Sequence, residues 1–91
     1  MEKEKVFIIT IDEVYDFERF NHNPRAFKTE EGARKAFEDL KKEARENYKD
    51  ELSDDTYWTV EEYTDSFEIY EDGRFAENHF TASLTSLFLE D

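Results

Sequence analysis

Three glutamates and one histidine in the C-terminal half of this sequence have side chains suited to chemistry: Glu61, Glu68, Glu77 and His79. Neighbouring carboxylates can share a proton, hold a divalent cation or attract a basic surface, and an imidazole adds a metal ligand or a proton carrier. This chemistry requires the fold to bring the side chains together. The elements that position them therefore decide what they can do.

Three β-strands are predicted to carry these residues, because the C-terminal part of the chain alternates apolar and polar positions and is rich in β-branched and aromatic residues. Asp72-Gly73 separates the second strand from the third, and Asp-Gly is a strong signal for a two-residue hairpin turn. That turn would pair Glu68 with Glu77. The predicted strands cover residues 56–63, 66–71 and 74–89.

One face of this predicted hairpin is apolar and the other is acidic. If the turn before the second strand closes as a two- or four-residue loop, Val60 pairs with Ile69 on the core face and Glu61 pairs with Glu68 outside. The glutamates would then form a row of like charges on strands about 4.8 Å apart. The surface predicted to contact a partner comprises Glu61, Glu68, Glu77, His79, Tyr70 and Phe75.

A second acidic group is predicted at one end of the sheet. Antiparallel geometry brings the start of the first of these strands beside the Asp72-Gly73 turn. Asp at turns also serves local hydrogen bonding, so this group has a structural as well as a binding interpretation. Its members are Glu51, Asp54, Asp55, Glu71 and Asp72. Three of them are also predicted to bind the partner: Asp54, Asp55 and Asp72.

The sequence leaves four interpretations of the acidic surface open. They are a solvated sheet face, a docking surface for a basic protein, a divalent-cation site and the carboxylate centre of an enzyme. No spacing matches a known calcium or zinc loop, and no nucleophile motif or phosphate loop is present. We therefore expect a non-enzymatic protein-binding module with no metal and no cofactor. The alternative is a metal-dependent or carboxylate-based enzyme, or a structural domain with no site on this face.

Charge is distributed unevenly along the 91 residues, whose formal net charge is −13. Residues 51–91 contain twelve acids and one base, whereas residues 1–50 contain thirteen acids and eleven bases. An acidic half repels nucleic acid and attracts basic surfaces, and the bases form no stripe that could bind phosphates. We expect a basic protein surface as partner and no direct nucleic-acid binding. A sharper form of this expectation is charge mimicry of nucleic acid, which would inhibit a nucleic-acid-binding protein.

A helix is predicted in the middle of the chain. Thr29 is a candidate N-cap, and Glu30 and Glu31 would lie in the first turn, where the helix dipole favours acids. The helix continues to about Lys49 with an apolar stripe at helical spacing. The stripe consists of Ala33, Phe37, Leu40, Ala44 and Tyr48.

These elements predict one α+β domain, residues 1–91, with two layers. One helix would pack on a mostly antiparallel sheet of about four strands, in β-α-β-β-β order. Residues 5–11 form the first strand, whose place in the sheet stays undetermined. Residues 12–28 are predicted as a protruding loop or irregular hairpin that returns as a short strand at 25–28. A bulge or bend is expected near Ser86 and Leu87 of the long last strand.

Signals for export or membrane insertion are not predicted. The apolar run near the N-terminus is short and follows acidic residues, unlike a secretory signal, and no stretch approaches the roughly 20 apolar residues of a membrane span. The absence of Cys excludes disulfides. We expect a cytoplasmic protein without membrane contact and make no prediction of its oligomeric state.

Several aromatic residues and a second histidine lie outside the acidic surface. Trp58 shares its predicted face with Val60 and is assigned to the core, and His22 is assigned to an exposed turn. Three loop aromatics either cover the edge of the core or form an exposed contact patch. They are Tyr15, Phe17 and Phe20.

The first half of the chain resembles small, acidic, uncharacterised proteins of phage and mobile-element genomes. The residues that carry this resemblance are Lys5-Val6-Phe7-Ile8-Ile9, Tyr15-Asp16, Ala26-Phe27-Lys28-Thr29-Glu30-Glu31, Ala33 and Ala36-Phe37. The resemblance implies no particular activity. It implies a mobile-element context, in which small acidic inhibitors are common.

Overall fold

The computed structural model describes residues 4–16, 18–53, 57–72 and 78–88. These residues form six β-strands and two helices. In chain order, the elements are β1 (Lys5–Tyr15), β2 (Glu18–Asn21), β3 (Arg25–Phe27), α1 (Glu30–Asn47), α2 (Lys49–Ser53), β4 (Trp58–Glu62), β5 (Ser66–Glu71) and β6 (His79–Phe88). Neither helix combines the length and apolar character needed to cross a bilayer.

All strand pairs in the sheet are antiparallel, in the order β2-β1-β6-β5-β4. The short strand β3 also pairs with β1, through Phe7–Ile9, whereas β2 pairs with Asp12–Tyr15. The first and last strands of the chain therefore lie side by side in the middle of the sheet. This places β1, whose position could not be predicted.

The predicted α+β class is confirmed, but the strand count and order are wrong. The stretch predicted as a protruding loop or irregular hairpin does form a hairpin, of β1 with β2, and it returns as the expected short strand, β3. What was not predicted is that β1 extends to Tyr15 and that β2 and β3 join the main sheet. Glu13 explains the error, because it occupies a helix-facing position where strand periodicity calls for an apolar residue. Its carboxylate accepts a hydrogen bond from Tyr48 Oη (2.6 Å), so the polar group is satisfied there.

The predicted bulge near Ser86 and Leu87 is also wrong. The pairing of β1 with β6 runs without interruption from Lys5 opposite Phe88 to Val14 opposite His79. Leu87 disturbs the apolar alternation because it lies opposite Val6, on the face of the sheet away from α1. The strand is regular, and it carries an apolar residue on its outer face.

Helix α1 packs on one face of the sheet and begins as predicted. Thr29 Oγ1 accepts a hydrogen bond from the Gly32 backbone N–H (3.1 Å). The largest fully buried side chains are Phe37 of the helix with Ile9, Phe67 and Ile69 of the sheet. Burial of about four such side chains, at roughly 1.5–3 kcal/mol each, makes this layer contact the main stabilising feature of the fold.

The buried stripe of α1 contains a lysine that its pattern did not predict. Lys41 is 5% exposed, whereas Leu40 is only partly buried. The Lys41 ammonium bonds the carboxylates of Glu38 and Glu62 at 3.1 and 3.3 Å and lies 4.9 Å from the centre of the Phe37 ring. The buried cation is therefore paired, as its desolvation requires.

The two C-terminal hairpins differ in how well their register was predicted. Val60 lies opposite Ile69 and Glu61 opposite Glu68, as expected from the sequence. In contrast, Glu68 pairs with Thr81, four residues beyond the predicted partner Glu77. An even shift keeps every side chain on its predicted face.

The four-residue shift has a packing reason. It places Phe80, which is 5% exposed, opposite Ile69 in the core, where the predicted register would have placed the smaller Ala76. A larger apolar ring at that position buries more surface. Phe75 and Glu77 lie outside the described residues, as do Asp54 and Asp55.

Candidate functional site

The candidate site lies on the open face, by which we mean the face of the sheet opposite α1. The described residues place no second layer over it. Because side chains alternate along each strand, this face receives every second residue of β4, β5, β6 and β1. Its polar part contains Thr59, Glu61, Glu68, Tyr70, His79, Thr81 and Asp12.

A shallow depression of about 380 Å³ occupies the centre of this polar part. It is lined by Glu61, Glu68, Tyr70, His79 and Thr81. Four of these were predicted from the sequence as partner-binding residues. Thr81 takes the position across from Glu68 that the predicted register gave to Glu77.

Glu61 and Glu68 are cross-strand neighbours, so two like charges lie side by side. Tyr70 Oη donates a hydrogen bond to Glu61 Oε1 (3.1 Å), and Tyr63 Oη donates to Oε2 (3.4 Å). The hydrogen bond to the carboxylate raises the pKa of Tyr70, which remains a neutral donor. No described Lys or Arg pairs with Glu61 or Glu68.

His79 contacts an acid that the sequence did not predict as its partner. Its Nε2 lies 2.9 Å from Asp12 Oδ2, on β1, and Arg19 of β2 pairs with the same carboxylate. The hydrogen bond to His79 is the largest of the effects that lower the pKa of Asp12. Asp12 was missed because sequence patterns could not place β1 next to β6.

The predicted acidic group at the end of the sheet divides into separate contacts. Thr59 Oγ1 donates to Asp72 Oδ2 (2.6 Å), and Asn78 donates to Glu71 (2.7 Å). Glu51 turns to the helix side, where it accepts a hydrogen bond from Tyr15 Oη. Of this group, Asp72 therefore adjoins the open face, whereas Glu51 belongs to another cluster.

That second cluster lies on the helix side, between β1, β2 and the end of α1. Glu13 receives Tyr48 Oη on one oxygen, and its other oxygen lies 2.7 Å from His22 Nε2. His22 is thus more than an exposed turn residue. The sequence signal for this cluster was Glu13, a carboxylate at a helix-facing position of a strand. It could be recognised only if β1 was known to extend beyond its predicted end at residue 11.

Trp58 is partly buried against the core beside Tyr48, which confirms its predicted assignment.

Metal-ligand geometry is not found among the described residues. Within 4–16, 18–53, 57–72 and 78–88, no three His, Asp or Glu side chains converge as a metal ion would require. The open face instead presents adjacent carboxylates with tyrosine and threonine hydroxyls. Such a surface can accept hydrogen bonds from cationic groups.

Comparison with known proteins adds no relative: no family model, curated protein or solved structure matches this chain. A function must therefore be argued from the geometry of the chain's own residues.

Proposed function

We propose that this protein is a non-enzymatic protein-binding module whose open face docks a basic surface of a partner. The observation that carries this proposal is the Glu61–Glu68 pair, which lies on an uncovered face without a described Lys or Arg partner. Like charges held side by side cost stability. A cationic partner would offset that cost, and its Lys or Arg side chains could bond both carboxylates.

The arrangement of the cations supports the same conclusion. Arg34 pairs with Asp65, and Arg45 and Lys41 pair with Glu62. These contacts neutralise acids on the helix side of the sheet. The acids of the C-terminal half that remain without a described Lys or Arg partner include Glu61 and Glu68 on the open face. Their negative field can steer a basic partner to that face.

The sharper form of the proposal is inhibition of a nucleic-acid-binding protein by charge mimicry. Neighbouring strands lie about 4.8 Å apart, and this spacing is comparable to the roughly 3.4 Å rise per phosphate along a DNA strand. Glu61 and Glu68, with Asp72 near one end, would occupy phosphate positions in the partner's binding site. The mobile-element context that we expect from the sequence of the first half of the chain would suit this form, because small acidic inhibitors are common there.

Two double variants of equal charge test the proposal. Glu61→Gln/Glu68→Gln neutralises the open-face pair, and Asp39→Asn/Glu43→Gln removes two exposed carboxylates of α1. Wild type and both variants would be immobilised and exposed to a lysate of a plausible host. Each retained protein would be identified, purified and measured for its Kd at two salt concentrations.

We expect the open-face variant to lose at least tenfold in affinity for a basic protein, and the α1 variant to bind like wild type. For the mimicry form, duplex DNA should compete with this protein for the same partner. Equal affinities of the two variants would overturn docking through the open face. Retained binding in the presence of saturating DNA would overturn mimicry alone.

A further inference from the structure

A cavity of about 250 Å³ lies on the helix side of the sheet, away from the open face. Its aromatic walls come from Tyr15, Phe20 and Tyr48. The rings of Tyr15 and Tyr48 are nearly perpendicular, with centroids 5.8 Å apart and an interplanar angle of 78°. The volume is below the roughly 300 Å³ at which drug-sized pockets begin, so a ligand here would be small.

Asn47 and two carboxylates, Glu13 and Glu51, complete the lining of this cavity. Tyr48 Oη donates to Glu13 Oε2 (2.6 Å), and Tyr15 Oη donates to Glu51 Oε1 (2.5 Å). Each carboxylate oxygen has two lone pairs, so both groups keep room for further donors. No described Lys or Arg pairs with Glu13 or Glu51, and His22 is the basic group next to Glu13.

Burial and the Glu13 carboxylate raise the pKa of Tyr48 well above its usual range. A hydrogen bond to Glu51 likewise raises the pKa of Tyr15. Both phenols therefore stay neutral at physiological pH and act as donors to the carboxylates. A neutral ring has a negative face that attracts cations.

We propose that this cavity binds an organic ammonium ion. Aromatic faces and carboxylates together select a cation that is also apolar, which describes an alkylammonium group. The two carboxylates disfavour an anion, and no three described His, Asp or Glu side chains converge here as a hard metal ion would require. The ammonium could belong to a free small molecule or to a lysine side chain of another protein.

A purely structural role of the tyrosine–glutamate contacts would leave one feature unexplained. Such contacts tie the β1–β2 hairpin to α1 and α2, but they do not require exposed aromatic rings. Tyr15 is 38% exposed and Phe20 is 44% exposed, and both line the cavity. Exposed rings that line a cavity are available to a ligand.

The test is a titration of the ¹⁵N-labelled protein followed by amide chemical shifts. Tetramethylammonium chloride represents a free quaternary ion, and n-butylammonium chloride represents a lysine side chain. Neopentyl alcohol is the neutral control of similar shape, and sodium chloride controls for ionic strength. We expect saturable shifts at Tyr15, Phe20 and Glu51 with at least one ammonium ion and with neither control.

Variants separate binding in the cavity from general attraction to an acidic protein. Phe20→Leu removes one ring at an exposed position, and loss of a cation–π contact of about 0.5–1 kcal/mol corresponds to a two- to fivefold weaker Kd. Glu51→Gln should weaken binding further, whereas Glu43→Gln, an equal charge change on α1, should leave the Kd unchanged. Circular dichroism melts would show that each variant is folded.

The ammonium ion that binds more tightly identifies the source, a free quaternary ion or a lysine side chain. Absence of saturable shifts with both ions would overturn the proposal, as would equal shifts with neopentyl alcohol. A Kd that is the same in the Phe20→Leu and Glu43→Gln variants would also overturn it. Because the open face lies on the other side of the sheet, none of these results depends on the docking of a basic partner.

Discussion

Among single residues, Glu61 and Glu68 matter most to the open face, because their carboxylates repel each other across neighbouring strands. Replacing Glu68 by Gln removes one charge of the pair and keeps the shape of the side chain. We expect the free energy of unfolding to increase by about 0.5 kcal/mol at low salt, and by less in 0.5 M NaCl, because cross-strand like charges are destabilising and screened by salt. Urea denaturation at both salt concentrations measures this change.

Glu62→Gln is the control for that prediction, because it should change the free energy of unfolding in the opposite direction. Its carboxylate bonds Arg45 and the buried Lys41, and these hydrogen bonds lower its pKa. Glu62→Gln should therefore reduce stability at neutral pH, although it removes the same charge as Glu68→Gln. If both variants stabilised the protein equally, the effect would reflect net charge alone and not the Glu61–Glu68 pair.

The Asp12 carboxylate makes the free energy of unfolding depend on pH. The hydrogen bond to His79 lowers the pKa of Asp12 below its unfolded value of about 3.9. A lowered carboxylate pKa stabilises the fold above about pH 4, and this contribution is lost as pH falls through the folded-state pKa. We expect Asp12→Asn to flatten the decline of unfolding free energy below pH 4. A decline that Asp12→Asn leaves unchanged would contradict this role.

Among the secondary-structure elements, helix α1 owes part of its stability to the capping of its first turn. Thr29 caps the helix through Gly32, where an added Cβ would lie 3.0 Å from Thr29 Oγ1. Thr29→Ala should cost about 1 kcal/mol in thermal or urea unfolding, because one orphan N–H of the first turn loses its acceptor. Thr29→Ser keeps the hydroxyl and should retain most of the stability. Equal losses in both variants would indicate that the methyl group, and not the cap, is responsible.

The strands show which elements local patterns can predict. β5 was predicted with its observed bounds, and the β4–β5 register followed from a short turn and alternation. The β5–β6 register was wrong because the Asp72-Gly73 signal is local, whereas the burial of Phe80 is a property of the packed layers. Turn propensity and core packing favoured different registers, and core packing prevailed.

At the scale of the whole molecule, a net charge of −13 repels itself in the compact state. We expect the midpoint of thermal unfolding to rise between 20 mM and 0.5 M NaCl. The rise should be smaller in Glu61→Gln/Glu68→Gln than in Asp39→Asn/Glu43→Gln, because no described Lys or Arg pairs with the open-face acids, whereas Lys35 and Lys42 lie one helical turn from Asp39. Equal rises would show that the repulsion is spread evenly over the surface.

The sequence by itself determined the α+β class, the capped helix, the acidic and apolar faces of the C-terminal strands, and the Glu61–Glu68 pair. These features depend on periods of two and 3.6 residues and on short turns, which act between near neighbours. Only the tertiary structure decided that β1 lies beside β6, that His79 meets Asp12, and that Glu13 meets Tyr48. These contacts join residues far apart in the chain, and they form because the layers pack, which no local pattern encodes.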